Sequence, residues 1–226
     1  MSSSDLVADP LDDSLGDAAG DTASTEGTSA RERAQRKIIK AARTAMATRG
    51  LETTVDDVAE IAGISRRTVF RHFGTREHLL ARALRAGLES YGSNLPLHRE
   101  GEAVDQWLRR LLGVVHGINE GNGRIYWEIT ALQTQLDGEL RDAAGARREA
   151  RVRFVGKVTE KLWSLSGGEG EIPAWLSDTV AVHLSAFTTQ SLRLDFDRSP
   201  EEIAEMSTEV LLSAAATAVA ATRPAV

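Results

Sequence analysis

The sequence contains no cysteine. A disulfide scaffold, a thiolate metal site and a cysteine nucleophile are therefore excluded, and a reducing compartment fits. Proline is scarce. Its five copies stand at positions 10, 96, 173, 200 and 224, so nothing between residues 31 and 85 interrupts a helix. No stretch of useful length alternates with the period of a strand. The signatures of common catalysts are also missing: there is no glycine-rich phosphate loop, no HExxH, no nucleophile elbow and no triad spacing. His116 and His183 could in principle hold a metal with an acid, but their spacing does not argue for it. The expectation is a non-enzyme with no cofactor and no metal. No basic segment followed by an apolar one opens the chain. The longest apolar stretch, residues 210–221, contains Ser213 and Thr217 and is too short to span a bilayer. A cytoplasmic protein with no membrane partner is expected.

The net charge of −6 conceals an uneven distribution. Residues 1–30 hold seven acids and no Lys or Arg, whereas residues 31–85 hold thirteen Lys/Arg against six Asp/Glu. A basic segment inside an acidic chain points to a local polyanion site. The plainer alternative is a solvated basic helix face.

The sequence divides into three parts. Residues 1–30 are rich in Ser, Asp, Gly, Ala and Thr and offer too few large apolar groups to offset ordering entropy, so a disordered acidic tail is expected. Residues 31–93 carry four helical patterns. The first runs from Arg33 to about Thr48, on Ile38, Ala42, Ala45 and Met46, and is closed by Gly50. Thr53-Thr54 cap a helix through Ala62, with Asp56 and Asp57 favourably placed in its first turn. Gly63 ends that helix, Ser65 caps the next, Gly74 breaks it, and Thr75 caps a longer one to about Ser93. Residues 94–226 are helical by period as well. A break is expected at residues 121–123, long helices over about 139–165 and 173–194, and a last one opened by Ser199-Pro200-Glu201-Glu202. The expected fold is all-α, with an N-terminal three-helix helix-turn-helix head followed by a helical ligand-binding and dimerisation domain.

The segment 54–80 carries most of the functional information. Two short helices joined by a tight turn suit a helix-turn-helix, in which the front end of the second helix meets the major groove of DNA. Val55, Val58, Ala59, Ile61 and Ile64 supply faces to lock the pair, and Val69, Phe70 and Phe73 are expected to anchor the second helix from behind. Arg66, Arg67, Thr68 and Arg71 are then left facing outward as candidate base contacts. Arginine suits this role because its fork can bond guanine O6 and N7 together. Thr54, His72 and Arg76 suit phosphate oxygens, which set register.

This segment resembles the DNA-binding domain of TetR-family transcriptional regulators. The matching landmarks are Gly50, Thr54-Val55, Val58-Ala59, Ala62-Gly63-Ile64-Ser65, Thr68-Val69-Phe70, His72-Phe73 and Arg76-Glu77-His78-Leu79-Leu80. The resemblance covers about fifty residues, and small, apolar and capping positions agree together. It implies an all-helical homodimer whose head binds a pseudo-palindromic duplex and whose divergent body takes a small-molecule effector. It also implies base-reading positions for Arg66, Arg67, Thr68 and Arg71 and phosphate positions for Thr54, His72 and Arg76. One departure is Phe70, where the family often has a tyrosine whose hydroxyl reaches phosphate.

The body shows no legible motif. Its aromatic, histidine and amide groups give candidate liners of an effector pocket: Trp107, His116, Tyr126, Trp127, Gln133, Trp163, His183 and Phe187. Each could equally be ordinary core. Glu128 could be a buried ligand partner or face solvent. The last two expected helices are the dimer surface by resemblance, with Ile203, Met206, Val210, Leu211 and residues 214–218 packing on a partner or on the chain's own body. The leading function is a ligand-responsive, sequence-specific regulator, most often a repressor in this family. The alternatives are a sequence-tolerant architectural DNA binder and, with least support, a helical enzyme.

Overall fold

The computed structural model describes residues 22–93 and 95–222. Among them lie nine α-helices and two short 3₁₀ turns, with no strand. Packing divides the chain into two units, Met1–Gln35 and Arg36–Val226. Of the first, the described part is the opening of helix α1 (Thr22–Arg49). This helix starts earlier than the expected Arg33. Once nucleated, a helix propagates by adding one hydrogen bond per residue, and no proline stops it here. The remainder of the expected acidic tail lies outside the described residues.

A 3₁₀ turn (Gly50–Glu52) joins α1 to α2 (Val55–Ala62), followed by α3 (Arg66–Phe73) and α4 (Arg76–Ser93). Each junction is closed by a local device. Thr54 and Asp57 form a reciprocal capping box at the start of α2. Gly63 takes φ 61° and ψ 40°, a left-handed conformation that side chains resist, and lets the Ile64 amide reach back to the Ala59 carbonyl at 3.0 Å. The Ser65 hydroxyl accepts from the Thr68 amide, and the Thr75 hydroxyl from the His78 amide. The enclosed core runs from Ile38, Ala42 and Met46 of α1 through Val55, Val58 and Ala62 to Val69, Phe73, Leu80 and Leu84.

The body comprises α5 (Val104–Ala131), a 3₁₀ turn (Gln133–Gln135), α6 (Gly138–Leu165), α7 (Ala174–His183), α8 (Ala186–Phe196) and α9 (Pro200–Thr222). Two expectations fail. First, α5 runs unbroken through residues 121–123. Two glycines in a helix cost about 1 kcal/mol each, but Gly123 is buried, and a Cβ there would fall 1.6 Å from the Gln190 amide nitrogen on α8. That nitrogen donates to the Asn119 carbonyl at 3.0 Å, so the missing side chain is what allows α8 onto α5. Second, the single helix expected over 173–194 is two. Ser185 caps α8 by accepting from the Thr188 amide, and the Thr188 hydroxyl donates to the Val182 carbonyl, closing a turn between α7 and α8.

By length and composition α9 could cross a membrane. Its Ile203, Ser207, Leu211, Ala215 and Ala218 are nevertheless buried within this chain, where α9 packs on α5. Of the residues expected to meet a partner, Ile203 and Leu211 are therefore internal, whereas Met206 and Val210 are exposed.

Candidate functional site

Helix α3 sorts its residues by period. Val69 and Phe73, four apart, are buried, while Arg66, Arg67 and Arg71 are exposed and Thr68 and His72 half-buried. Arg67 and Arg71 lie one turn apart, and neither guanidinium has an ion pair or hydrogen bond among the described residues. Arg66 is engaged: its Nη1 lies 2.9 Å from Asp56 Oδ2, and its guanidinium sits 5.4 Å from the centre of the Phe70 ring. An exposed ion pair of this kind contributes roughly 0–1 kcal/mol, so it holds Arg66 only lightly. Phe70 is 37% exposed and does not anchor α3 from behind; it lies on the arginine side. Ile61, at 49%, likewise does not help lock α2 to α3.

The three candidate phosphate contacts are placed differently from one another. The Thr54 hydroxyl donates to Asp57 Oδ2 at 2.7 Å while accepting from the Asp57 amide at 3.2 Å. The Thr54 amide donates to the same carboxylate oxygen at 2.8 Å, and this bond, followed by that from the Thr54 hydroxyl and aided by Arg49, holds the Asp57 carboxyl below the usual range. Arg76 is turned inward. Its Nε donates to the Thr53 carbonyl at 2.7 Å, its Nη2 to the Leu51 carbonyl, and its Nη1 meets Glu77 at 3.4 Å. His72 stands at the end of α3.

The turn gripped by Arg76 is gripped from the body as well. Glu128 Oε2 accepts from the Leu51 amide at 2.6 Å, and Arg124 bonds Glu128, the Thr48 carbonyl and Glu52 at 2.8–3.0 Å. Glu128 therefore neither faces solvent freely nor awaits a ligand; it ties α5 to the turn before α2. A second tie joins His78 of α4 to Glu139 of α6 at 2.7 Å.

A cavity of about 540 Å³ opens between α4, α5 and α6, within the range of small-molecule sites. Of the eight candidate liners, Trp107 and Tyr126 border it. Phe187 borders a smaller neighbouring recess and packs edge-on against Trp127 at 5.9 Å. Trp163 is buried in the core of the body instead. His116 and His183 form polar contacts between helices, to Thr189 and Ser207. The side chain of Gln133 lies outside the described residues. Sequence reasoning missed Tyr91 and a whole face of α6, on which Arg147, Arg151, Phe154, Val158 and Lys161 recur at helical spacing. That period marks a face of α6 but does not by itself tell a cavity wall from a solvated face. Among the described residues no cluster of acids and histidines suits a metal.

Comparison with known proteins follows the same division. Residues 38–83 match the family model for bacterial regulatory proteins of the tetR family. No curated protein matches the chain. Among solved structures, a TetR-family transcriptional regulator from Streptomyces coelicolor is similar at 21% identity and a TM-score of 0.62, over 85% of this chain and 84% of that one. One from Mesorhizobium loti is similar at 21% and 0.59, over 81% and 96%. A third, from Rhodococcus sp., is similar at 23% and 0.57, over 83% and 99%. Residues 38–83 are thus similar to a tetR-family N-terminal domain, and the fold of the chain is similar to that of solved TetR-family transcriptional regulators.

Proposed function

We propose that this chain is a sequence-specific transcriptional regulator, a homodimeric repressor that leaves its operator when a small molecule enters the cavity of the body. One observation carries the DNA-binding assignment: Arg67 and Arg71 stand one turn apart on the outer face of α3 with no protein partner among the described residues. Two free forks on one face of a short, well-capped helix, Arg67 at its front and Arg71 in its last turn, suit guanine edges in a major groove. Arg66, lightly held by Asp56, and Thr68 extend that surface. Thr54, His72 and Arg76 flank it as phosphate contacts, Thr54 and Arg76 by exchanging the internal bonds they now make. The exposed Met206 and Val210 of α9 and Leu194 and Phe196 of α8 support a dimer face on the last two helices. Two heads on one duplex would then sit about 34 Å apart, or a multiple of it.

The response to a ligand rests on two helices. Leu88 and Tyr91 of α4 and Tyr126 of α5 border the cavity. The same two helices grip residues 51 and 53 through Arg76 and Glu128. An occupant that favours one separation of α4 and α5 therefore biases the turn that feeds α2. The bias is limited to the difference between its affinities for the two arrangements.

Fluorescence anisotropy with duplexes tiled from the chain's own promoter, at fixed salt, tests the assignment. Arg67→Ala should weaken the preferred duplex roughly 5- to 150-fold, the equivalent of about 1–3 kcal/mol for a lost base contact, and leave helicity unchanged. Affinity close to wild type refutes the role of Arg67. Equal affinity of the wild type for every duplex, with a steep salt slope, marks a sequence-tolerant binder instead.

A further inference from the structure

The cavity is unbalanced in charge. Its walls are apolar, built from Leu88, Tyr91, Trp107, Leu111, Phe154 and Val158, yet the charged side chains that border it, Arg147, Arg151, Arg153, Lys157 and Lys161, are all basic. No Asp or Glu borders it among the described residues. Arg147 and Arg151 are half-buried. Arg147 Nη1 donates to the Thr130 hydroxyl at 3.1 Å, and its guanidinium lies 5.0 Å from the centre of the Tyr126 ring. Arg151 Nη2 donates to the Ala181 carbonyl at 2.6 Å. Among the described residues neither meets a carboxylate, and Asp178, which borders the adjoining recess with both, forms no ion pair with either.

This is not the habit of the rest of the body. Arg109 bonds Asp105, Glu205 and Glu209, Arg110 bonds Glu102, Arg124 bonds Glu52 and Glu128, and Arg193 bonds Glu120. Arg109, Arg110 and Arg193, the other half-buried arginines of the body, are thus given acids, as is the exposed Arg124; the two at the cavity are not. Burial pushes the Arg147 pKa down, and the neighbouring Arg151 adds to the effect against the opposing pull of Tyr126 and Tyr91. A partly desolvated cation without a counter-charge is unfavourable and gains most from an anion delivered into the same space.

We infer that the cavity takes an amphipathic anion, a single carboxylate on an apolar chain, with the carboxylate paired to Arg147 and Arg151 and the chain lying along Tyr91, Trp107 and Phe154. The exposed Arg153, Lys157 and Lys161 at the rim add an attractive field at the mouth. The inference rests on the reading of this cavity as the effector site and narrows the class of effector.

The test is isothermal titration of the full-length protein with three matched probes below their micellar concentrations: decanoate, decanol and decylammonium. Decanoate should bind at least about tenfold more tightly than decanol, as expected of charge-assisted bonds, and decylammonium most weakly. Arg147→Met/Arg151→Met, which keeps the apolar stems, should erase the preference for decanoate and leave decanol binding intact. Lys161→Met at the rim, which should fold without difficulty, should weaken decanoate alone and by a smaller factor. Circular dichroism confirms folding of each. Equal binding of decanoate and decanol overturns the anion assignment and leaves the effector reading standing, as does a preference that survives the double variant. Carboxylate-selective binding that does not change operator affinity upholds the anion assignment and sinks the effector reading. No binding of any probe overturns both.

Discussion

His116 offers a quantitative test of the packing between α5 and α8. It is fully buried, with Nδ1 2.9 Å from the Thr189 hydroxyl oxygen. That hydroxyl has one proton, which goes to the Ser185 carbonyl at 3.2 Å, and its oxygen already accepts from the Asn119 side-chain Nδ2 at 3.2 Å. The imidazole must therefore donate from Nδ1, leaving Nε2 as a bare lone pair with no partner. A second proton on Nε2 would be a buried charge without an acceptor. Burial, helped by the nearby His183, accordingly pushes the imidazole down to about 4 from its ordinary 6.5. The unfolded chain then binds more protons than the folded one between those two values, so this contribution to stability is complete above the ordinary value and is lost as the pH falls through the window. At about 1.4 kcal/mol per unit of pKa, roughly 2 kcal/mol should disappear between about pH 7.5 and about pH 5. Asp57, with its carboxyl held below the usual range, responds at lower pH still. His183 is also pushed down by burial and acts in the same direction, so the comparison must be with a variant. His116→Gln keeps a hydrogen-bonding group near Thr189 and removes the titration. In urea unfolding followed by circular dichroism, the wild type should lose about 2 kcal/mol more than the variant over that window. Parallel pH profiles would refute both the proton inventory and the buried neutral ring.

Three further outcomes are expected. Ser65→Ala removes the cap of α3 and should lower stability by about 1 kcal/mol in chemical unfolding, with no change expected in the cavity's ligand binding. Glu128→Ala removes the acceptor of the Leu51 amide and should speed hydrogen exchange at that amide by about tenfold, roughly the worth of one charge-assisted bond; unchanged exchange would show that the contact does not hold the turn. Gly123→Ala alone should change stability little, because about 1 kcal/mol of helix propensity is offset by displacing the Gln190 amide; in a Gln190→Ala background it should stabilise by about that amount, and equal effects in both backgrounds would remove the close approach.

The head was legible because its instructions are local. Thr54 with Asp57, Gly63, Ser65 and Thr75 each act within four residues of their own position, and the bonds they make are those their residue types imply. The two misplacements came from setting size above period. In α2 the buried set is Val55, Val58, Ala59 and Ala62, and Ile61 falls on the other side of that stripe. In α3 Val69 and Phe73 share a face, and Phe70, four residues from Arg66, falls with the arginines. Size argues for the interior, but the helical repeat places both side chains outside.

The body resisted reading because its instructions are carried by distant residues. Gly123 signals a break in its own neighbourhood and a close contact only when Gln190, far along the chain, is known to lie against it. His116 has no local mark that separates a ligand from an interhelical bond; Thr189 decides that. The basic face of α6 is the sharpest case. Arg147, Arg151 and Lys161 recur with Phe154 and Val158 as they would on any solvated amphipathic helix, and nothing within α6 distinguishes the two. What distinguishes them is the opposite wall. Tyr91 and Trp107 face the cations there with rings and no carboxylate, and this turns an ordinary charge pattern into an unfilled demand for an anion.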